Sequence, residues 1–582
     1  MGVEYMCGIF GTKNINVDPE IVKKSLSHRG PDAFGLKAFS DWTFYHTRLS
    51  ILDLSDAGLQ PMEYEGNYLC FNGEIYNYKE LQKQYLSDVR LISSSDTEVL
   101  LHLLIRYGLS ILNKLNGMFA FAYFDGKTRN TYLVRDRYGV KPLYYWKSGN
   151  TFAFSSVDFS LVNVLNLPYE FNDEYKQCLI ENAYSDNSEY SLVKNVFQVV
   201  AGSYVKITPN NLLTKHQWYL FSDVQCAITN YSEKNTVVEY FEELLTDSIR
   251  LRNRSDVPVG ITLSGGLDSS IIYTLAKEKL NAKYKIFTYS NAKKELDEFD
   301  KVKRLTSDYG DEVIKIDQTK DTLDIFKKSL FYLNGPIWAP SHIGYFNVYK
   351  AIKDQGIKVI LEGHGADELL GGWPWTLTNA VKEAFGRGKF YLAYDVFKVQ
   401  QRTYNQDLNQ KSNGGFKNFL KIIRKTKIKD RNCFSELLDT LFSKTILPIN
   451  LRCWDRLSMA NSVESRCPFL DYRIVEFLKR LPIQYKVNKI GNKAILRDIL
   501  LKYHKDYIVE NKVKLGYLSS EINFLNENSD YLLKYYDERK FDLDVSSWKT
   551  GSLDYSYNSK VYRIIALNIL QEIYRKGQLD YL

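Results

Sequence analysis

The residues of this 582-residue chain with the most chemistry in them are a cysteine, two glycine-rich turns carrying aspartates, and a lysine far downstream. The turn Ser264-Gly265-Gly266-Leu267-Asp268-Ser269-Ser270 follows a strand-like run, Val257 to Leu263. It precedes an apolar-periodic stretch, Ile271-Ile272-Tyr273, that reads as a helix. Glycine permits close backbone approach, and a helix start offers free N–H groups to an anion. Serine hydroxyls add donors, and Asp268 can hold a divalent cation through oxygen. A bare Gly-Gly reads as a connecting turn, whereas the whole string at a strand–helix junction points to a phosphate site. The pattern Gly-x-x-x-x-Gly-Lys is absent, which weighs against γ-phosphate transfer.

The second cluster is Glu362-Gly363-His364-Gly365-Ala366-Asp367-Glu368, after the run Lys358 to Leu361. Two such turns at the C-terminal ends of parallel strands can face one ligand. Asp268 and Asp367 are therefore candidate ligands for one magnesium ion on a triphosphate; the bland alternative is an acidic helix cap. Near the other end of the chain, Cys7-Gly8-Ile9-Phe10-Gly11 could be an ordinary strand start, or could carry a nucleophilic thiolate able to open an amide.

Positioning these groups takes more than one core, because the chain exceeds what a single domain usually packs. Residues 7–210 alternate short β-rich runs with Gly, Asn and Asp turns, which predicts an α+β domain of layered antiparallel sheet. From 231 to 582 the rhythm is strand–helix–strand, with runs at Val257–Leu263, Lys285–Tyr289, Val313–Ile316 and Lys358–Leu361, then mainly helix after Leu370. This predicts an α/β domain on a parallel sheet. The polar, basic stretch from Gln400 to Asn432 reads as an excursion outside the core.

Composition narrows the function class. Hydrophobic content of 45% and charged content of 25% are those of a globular protein, with no apolar run long enough to span a membrane. The N-terminus has no secretory pattern, so a cytoplasmic location is expected. Seven scattered cysteines without a Cys-x-x-Cys pair argue against disulfide frameworks and zinc ribbons. A net charge of +8 on scattered lysines is not a nucleic-acid footprint.

Further motifs accompany Cys7: His28-Arg29-Gly30-Pro31-Asp32, Arg48-Leu49-Ser50, Asn72-Gly73-Glu74, Ser95-Asp96-Thr97-Glu98 and Arg135-Asp136-Arg137-Tyr138-Gly139. Accompanying the glycine turns are Arg456-Leu457-Ser458-Met459 through Glu464-Ser465-Arg466-Cys467-Pro468-Phe469-Leu470-Asp471, and Lys493-Ala494-Ile495-Leu496-Arg497. Together they resemble the glutamine-hydrolysing asparagine synthetases over nearly the whole chain. The resemblance implies an N-terminal-nucleophile (Ntn-hydrolase-like) glutaminase joined to an ATP-pyrophosphatase domain, using ATP and Mg2+ and forming a homodimer. It assigns Cys7 as nucleophile, Arg48 to the glutamine carboxylate, Glu74 and Asp96 to its ammonium, and Asn72 and Gly73 to glutamine and its oxyanion. Leu263, Ser264, Gly265, Gly266, Asp268, Ser269, Tyr289 and Gly363 are then ATP contacts. Lys493 meets the leaving phosphates, and Lys512 and Lys514 resemble a later basic motif.

A cysteine thiol near neutrality is mostly protonated, and its own α-amine (pKa about 7.7–8.0) can take the proton only when the cysteine is the first residue. Six residues precede Cys7. Either Met6 is the real initiator or a leader, Met1–Met6, is removed; the expectation is a start at Met6 with methionine removal, the unprocessed chain being a poor glutaminase that still uses free ammonia.

One departure concerns the acceptor. The second turn usually reads nearer Ser-Gly-Glu-Gly-Ala-Asp-Glu in this family, so His364 stands in place of a glutamate. Histidine, with a pKa near 6.5, can still deprotonate an incoming ammonium. Leu333-Asn334-Gly335-Pro336 also lacks the acidic residue often seen before the proline. Aspartate is the expected acceptor carboxylate, a sugar uronic acid the close second, and a natural-product acid the third. The rivals are a β-lactam-forming synthetase, which Cys7 argues against, a tRNA-modifying enzyme, and a non-catalytic regulatory homologue.

Overall fold

A computed structural model describes the chain apart from residues 1–6, 31, 184–185, 225–233, 291–297, 318–322, 408–414, 511–517, 554–558 and 577–582. Lys512 and Lys514 lie outside the described residues.

The N-terminal half stacks two six-stranded antiparallel sheets. In the first, Gly8–Lys13 is central, paired with Trp42–Arg48 on one side and Thr151–Ser155 on the other. In the second, Asn67–Ile75 pairs with Gly117–Phe124, so Asn72 lies opposite Ala120 and Gly73 opposite Phe119. This sheet continues past residue 210, through Leu213–Gln217. Ile9, Phe44, Cys70, Ala120, Ala122 and Phe154 fill the space between the sheets. Alternation along each strand accounts for that packing, with successive side chains taking opposite faces.

The outer face of the second sheet is covered by the helix Asp96–Tyr107, whose Ser95 cap accepts from the Glu98 N–H. Helices Pro19–Leu26 and Asp158–Leu165 border the first sheet. Their Leu26, Phe159 and Leu161 share one apolar cluster with Phe331, Tyr349 and Ile565 of the C-terminal half. The two halves are thus welded by a continuous core.

The C-terminal half is built on a parallel sheet ordered Val313–Asp317, Lys285–Ser290, Val259–Thr262, Val359–Leu361 and Glu464–Arg466. The first four correspond to the predicted runs. The fifth was not anticipated: three residues are too few to show periodicity, and Glu464-Ser465-Arg466 has none of the apolar character of a central strand.

The expectation for Gln400–Asn432 is corrected. Helices Phe390–Asp407 and Gly415–Lys425 occupy most of it, and Phe419 is buried against Phe397 and Tyr394. Phe419, Ile422 and Ile423 recur at helical spacing and pack into a local core, a stripe masked by the surrounding lysines. Among the described residues, no helix is long and apolar enough to cross a membrane.

Candidate active sites

Cys7 stands immediately before the central strand of the first sheet. Its Sγ accepts from the Leu49 N–H at 3.4 Å, and its thiol donates to the Leu49 carbonyl at 3.7 Å. Burial pushes the thiol up to about 12, so deprotonation needs a dedicated base. The cavity beside it brings together Arg48, Asn72, Gly73, Glu74, Asp96 and Glu464. All five sequence-derived candidates for glutamine and its oxyanion therefore converge on Cys7.

Local folding explains the convergence. Ser156 accepts from the Ile9 N–H at 3.1 Å and is 3.4 Å from Asn72 Nδ2, tying the strand after Cys7 to Asn72. Gly73 has φ +142°, and a Cβ there would lie 2.0 Å from the Met118 carbonyl oxygen, so only glycine fits. Arg48 donates to the carbonyls of Ser55 (2.7 Å) and Asp53. Asp96 accepts from the Ile75 N–H at 2.7 Å.

The pocket's charge is lopsided. Glu74, Asp96 and Glu464 are buried together, with Arg466 3.1 Å from Glu74 and 2.7 Å from Glu464, and Lys141 3.8 Å from Glu464. Burial raises the carboxyls of both Glu74 and Asp96 above their ordinary range, with Arg466 opposing it. The cavity is lined by these carboxylates while Arg466 and Lys141 stand behind them, which suits a ligand ammonium, and Arg48 on the same cavity suits a carboxylate.

Glu464 and Arg466 belong to the C-terminal sheet, and sequence reasoning gave neither a role. In the strand, residues 464 and 466 share a face, which turns toward Cys7, and Ser465 takes the other; a three-residue run carries no signal of this in the sequence. Behind them, Asp455 pairs with Arg29 at 2.9 Å and with Lys141 at 3.3 Å, and Arg29 Nε is 3.4 Å from the Cys7 carbonyl.

At the second site, the strands Val259–Thr262 and Val359–Leu361 are direct neighbours, so the turns after them abut. A Cβ on Gly363 would lie 2.9 Å from Asp268 Cβ and from the Ser269 nitrogen. Gly265 has φ +67°, and Gly266 caps the helix Leu267–Leu280. Ser269 Oγ accepts from the Ser264 N–H at 3.2 Å. Leu263 bonds to Phe287 of the adjoining strand, which also carries Tyr289.

Lys493 closes the site from the start of the helix Ala494–Lys502. Its Nζ is 2.5 Å from both Asp268 Oδ2 and Asp367 Oδ1. Burial disfavours its charge, but the two aspartates outweigh that and hold the ammonium well above the ordinary lysine range. His364 stacks on Trp454 with ring centroids 3.5 Å apart, and its Nε2 is 3.5 Å from Glu362 Oε1. The segment Leu333–Pro336 gives the carbonyls of Leu333, Gly335 and Pro336 to Arg452, and that of Leu333 also to Arg456.

Residues 6–219 match the glutamine amidotransferase domain, and residues 240–573 match asparagine synthase. The chain belongs to the asparagine synthase family. It is 29% identical to asparagine synthetase [glutamine-hydrolyzing] 1 of Bacillus subtilis (strain 168), covering 92% of this chain and 91% of that protein. It is also 26% identical to amidase chry2 of Gibberella zeae, covering 84% of each. Asparagine synthase relatives thus include proteins named for asparagine formation and others named as amidases.

Proposed function

We propose that this protein adenylates a carboxylate with ATP and amidates it with ammonia drawn from glutamine, with aspartate as the acceptor. The observation that carries the reading is the lysine–aspartate triangle of Lys493, Asp268 and Asp367 over two abutting glycine turns, one strand away from the Cys7 pocket.

In the glutaminase half, the Cys7 thiolate attacks the glutamine amide carbon, Asn72 and the Gly73 N–H stabilise the oxyanion, and ammonia leaves. The thiol's resistance to ionisation makes the freed Cys7 α-amine the fitting base. Ammonia in bulk water near neutrality is mostly ammonium, so a dry route matters. Cys7 packs on an apolar cluster of Leu49, Ile51, Met459 and Val359, which joins it to the parallel sheet.

In the synthetase half, Gly265, Gly266 and the helix start present N–H groups to the ATP phosphates. Asp268 and Asp367 converge on a single cation, and two carboxylates completed by phosphate oxygens form a donor set that fits Mg2+. When bound, that ion would neutralise phosphate charge, with Lys493 released to meet the departing pyrophosphate. Attack of ammonia on the acyl-adenylate carbonyl then gives amide and AMP.

A second reading, amidation of a sugar uronic acid or another carboxylate, is favoured by the Glu362–His364 pair, which departs from the family's usual turn. Mass spectrometry separates the two readings. Protein beginning at Cys7 is given ATP, magnesium and glutamine, with aspartate or UDP-uronic acids offered separately. Asparagine formed in step with AMP supports the first reading; AMP only with a uronate replaces it with the second.

A further inference from the structure

We propose that Glu362 is a positioning residue for amide formation, holding the His364 imidazole to take the proton that the ammonia nitrogen sheds as the amide bond forms. The inference deepens the reading above and rests on it.

Glu362 is 5% exposed, and its carboxylate is ringed by groups from several elements. The Tyr349 hydroxyl, from the helix His342–Asp354, donates to Oε2 at 2.8 Å. The Ser465 hydroxyl, from the edge strand, donates to the same oxygen. Thr262 Oγ1 lies 3.4 Å from Oε1, which also faces His364 Nε2. A carboxylate so occupied has no free edge for a substrate, so its action passes through His364. Burial alone would push this carboxyl up, but His364, Ser465 and Tyr349 outweigh it and hold it below the usual range. The other titratable neighbour is Cys467, beside Ser465, whose thiol burial and the Glu362 charge push up to about 12. The carboxylate is therefore the anion that the imidazole meets.

Trp454 sets the ring plane by stacking 12° from parallel, and within that plane Nε2 faces Glu362 Oε1 at an ion-pair distance of 3.5 Å. A proton on Nε2, toward the carboxylate, leaves the Nδ1 lone pair available. The step then balances. The nitrogen pair of ammonia attacks the acyl carbonyl carbon, one N–H bond of the resulting C–NH3+ breaks with its proton passing to Nδ1, and the carbon–oxygen bond to AMP breaks with its electrons on the phosphate.

The strand Glu464–Arg466 adds a link, since Ser465 holds Glu362 while Glu464 and Arg466 line the Cys7 side. The group that steadies the base is thus fixed to the wall of the ammonia-producing pocket.

The test uses the full chain with ATP, magnesium and ammonium chloride, with L-aspartate as acceptor, or the uronate if that acid released AMP above. Three rates are followed: amide formation against ammonium concentration, isotopic pyrophosphate–ATP exchange, and glutaminase activity as a check on folding. Glu362→Gln is expected to slow amide formation about 100-fold. The loss should fall on kcat, with the KM for ammonium and the rate of pyrophosphate exchange little changed. Tyr349→Phe, a milder change, should lower kcat by less. An unchanged kcat, or exchange falling in parallel with amide formation, overturns the proposal. No AMP from the unsubstituted protein would instead overturn the amidotransferase reading itself.

Discussion

Arg466 Nη2, on the edge strand of the C-terminal parallel sheet, lies 3.1 Å from Glu74 Oε1 in the cavity beside Cys7. Both side chains are buried, and Arg466 also binds Glu464 at 2.7 Å and the carbonyl of Arg252 at 2.9 Å. The wall of the first site is therefore built partly by the domain that holds the second.

Removing Arg466 leaves two buried carboxylates without their main counterion. Arg466→Ala is expected to destabilise the protein by about 3–5 kcal/mol, the usual cost of breaking a buried pair. Glutamine KM should rise in the fraction that folds. Scanning calorimetry and glutaminase kinetics check both, and an unchanged melting temperature would contradict the account.

Cys7→Ala should abolish glutamine-dependent amidation but spare synthesis from ammonium chloride, because the Lys493 site lies in the other domain. Protein with residues retained ahead of Cys7 should behave almost alike, since a thiol pushed up to about 12 needs the freed amine as base. Equal glutaminase rates with and without a free Cys7 amine would sink this base assignment.

Lys493→Met should lower AMP formation by at least about 100-fold while leaving glutaminase intact. The substitution also leaves Asp268 and Asp367 facing each other without their shared ammonium. Raised magnesium should therefore recover stability more than rate, as read by melting temperature and pyrophosphate release.

Buried histidines contribute an acid-side loss of stability that begins near pH 6.5 and is opposed by the raised carboxyls of Glu74 and Asp96, which take up protons first in the folded state. His28, His46 and His342 are buried, and desolvation lowers each to about 3. Each unfolded histidine binds a proton that its folded counterpart refuses, so their stabilisation is complete above pH 6.5 and is lost as pH falls toward 3. Between pH 6.5 and 5.5 the loss is about 1 kcal/mol per histidine. Urea unfolding of the parent protein and of His342→Gln across that interval isolates one share: the variant's stability should fall less with acid by about that amount, and parallel profiles would contradict it.

The architecture was legible wherever strands were long enough to show alternation and helices long enough to show their stripe. Cys7, Asn72 and Glu74 could be grouped through their motifs, as could Asp268, Asp367 and Lys493. Glu464 and Arg466 lie inside a recognised motif, yet their role depends on which face of a three-residue strand meets the other domain. That is a tertiary fact with no local signal. The role of Glu362 is tertiary in the same way, since Tyr349 and Ser465 reach its carboxylate from other elements of the fold. The Phe419 helix was hidden by lysines on its outer face, a case of composition obscuring period.

The most direct test of the central claim is transfer of label from glutamine. Protein beginning at Cys7 is supplied with ATP, magnesium, aspartate and glutamine labelled with 15N in its side-chain amide, in excess unlabelled ammonium. The account predicts AMP and labelled amide product in equal amounts, the label little diluted by the solvent pool. AMP without labelled amide, or glutamate released with no AMP at all, would contradict it.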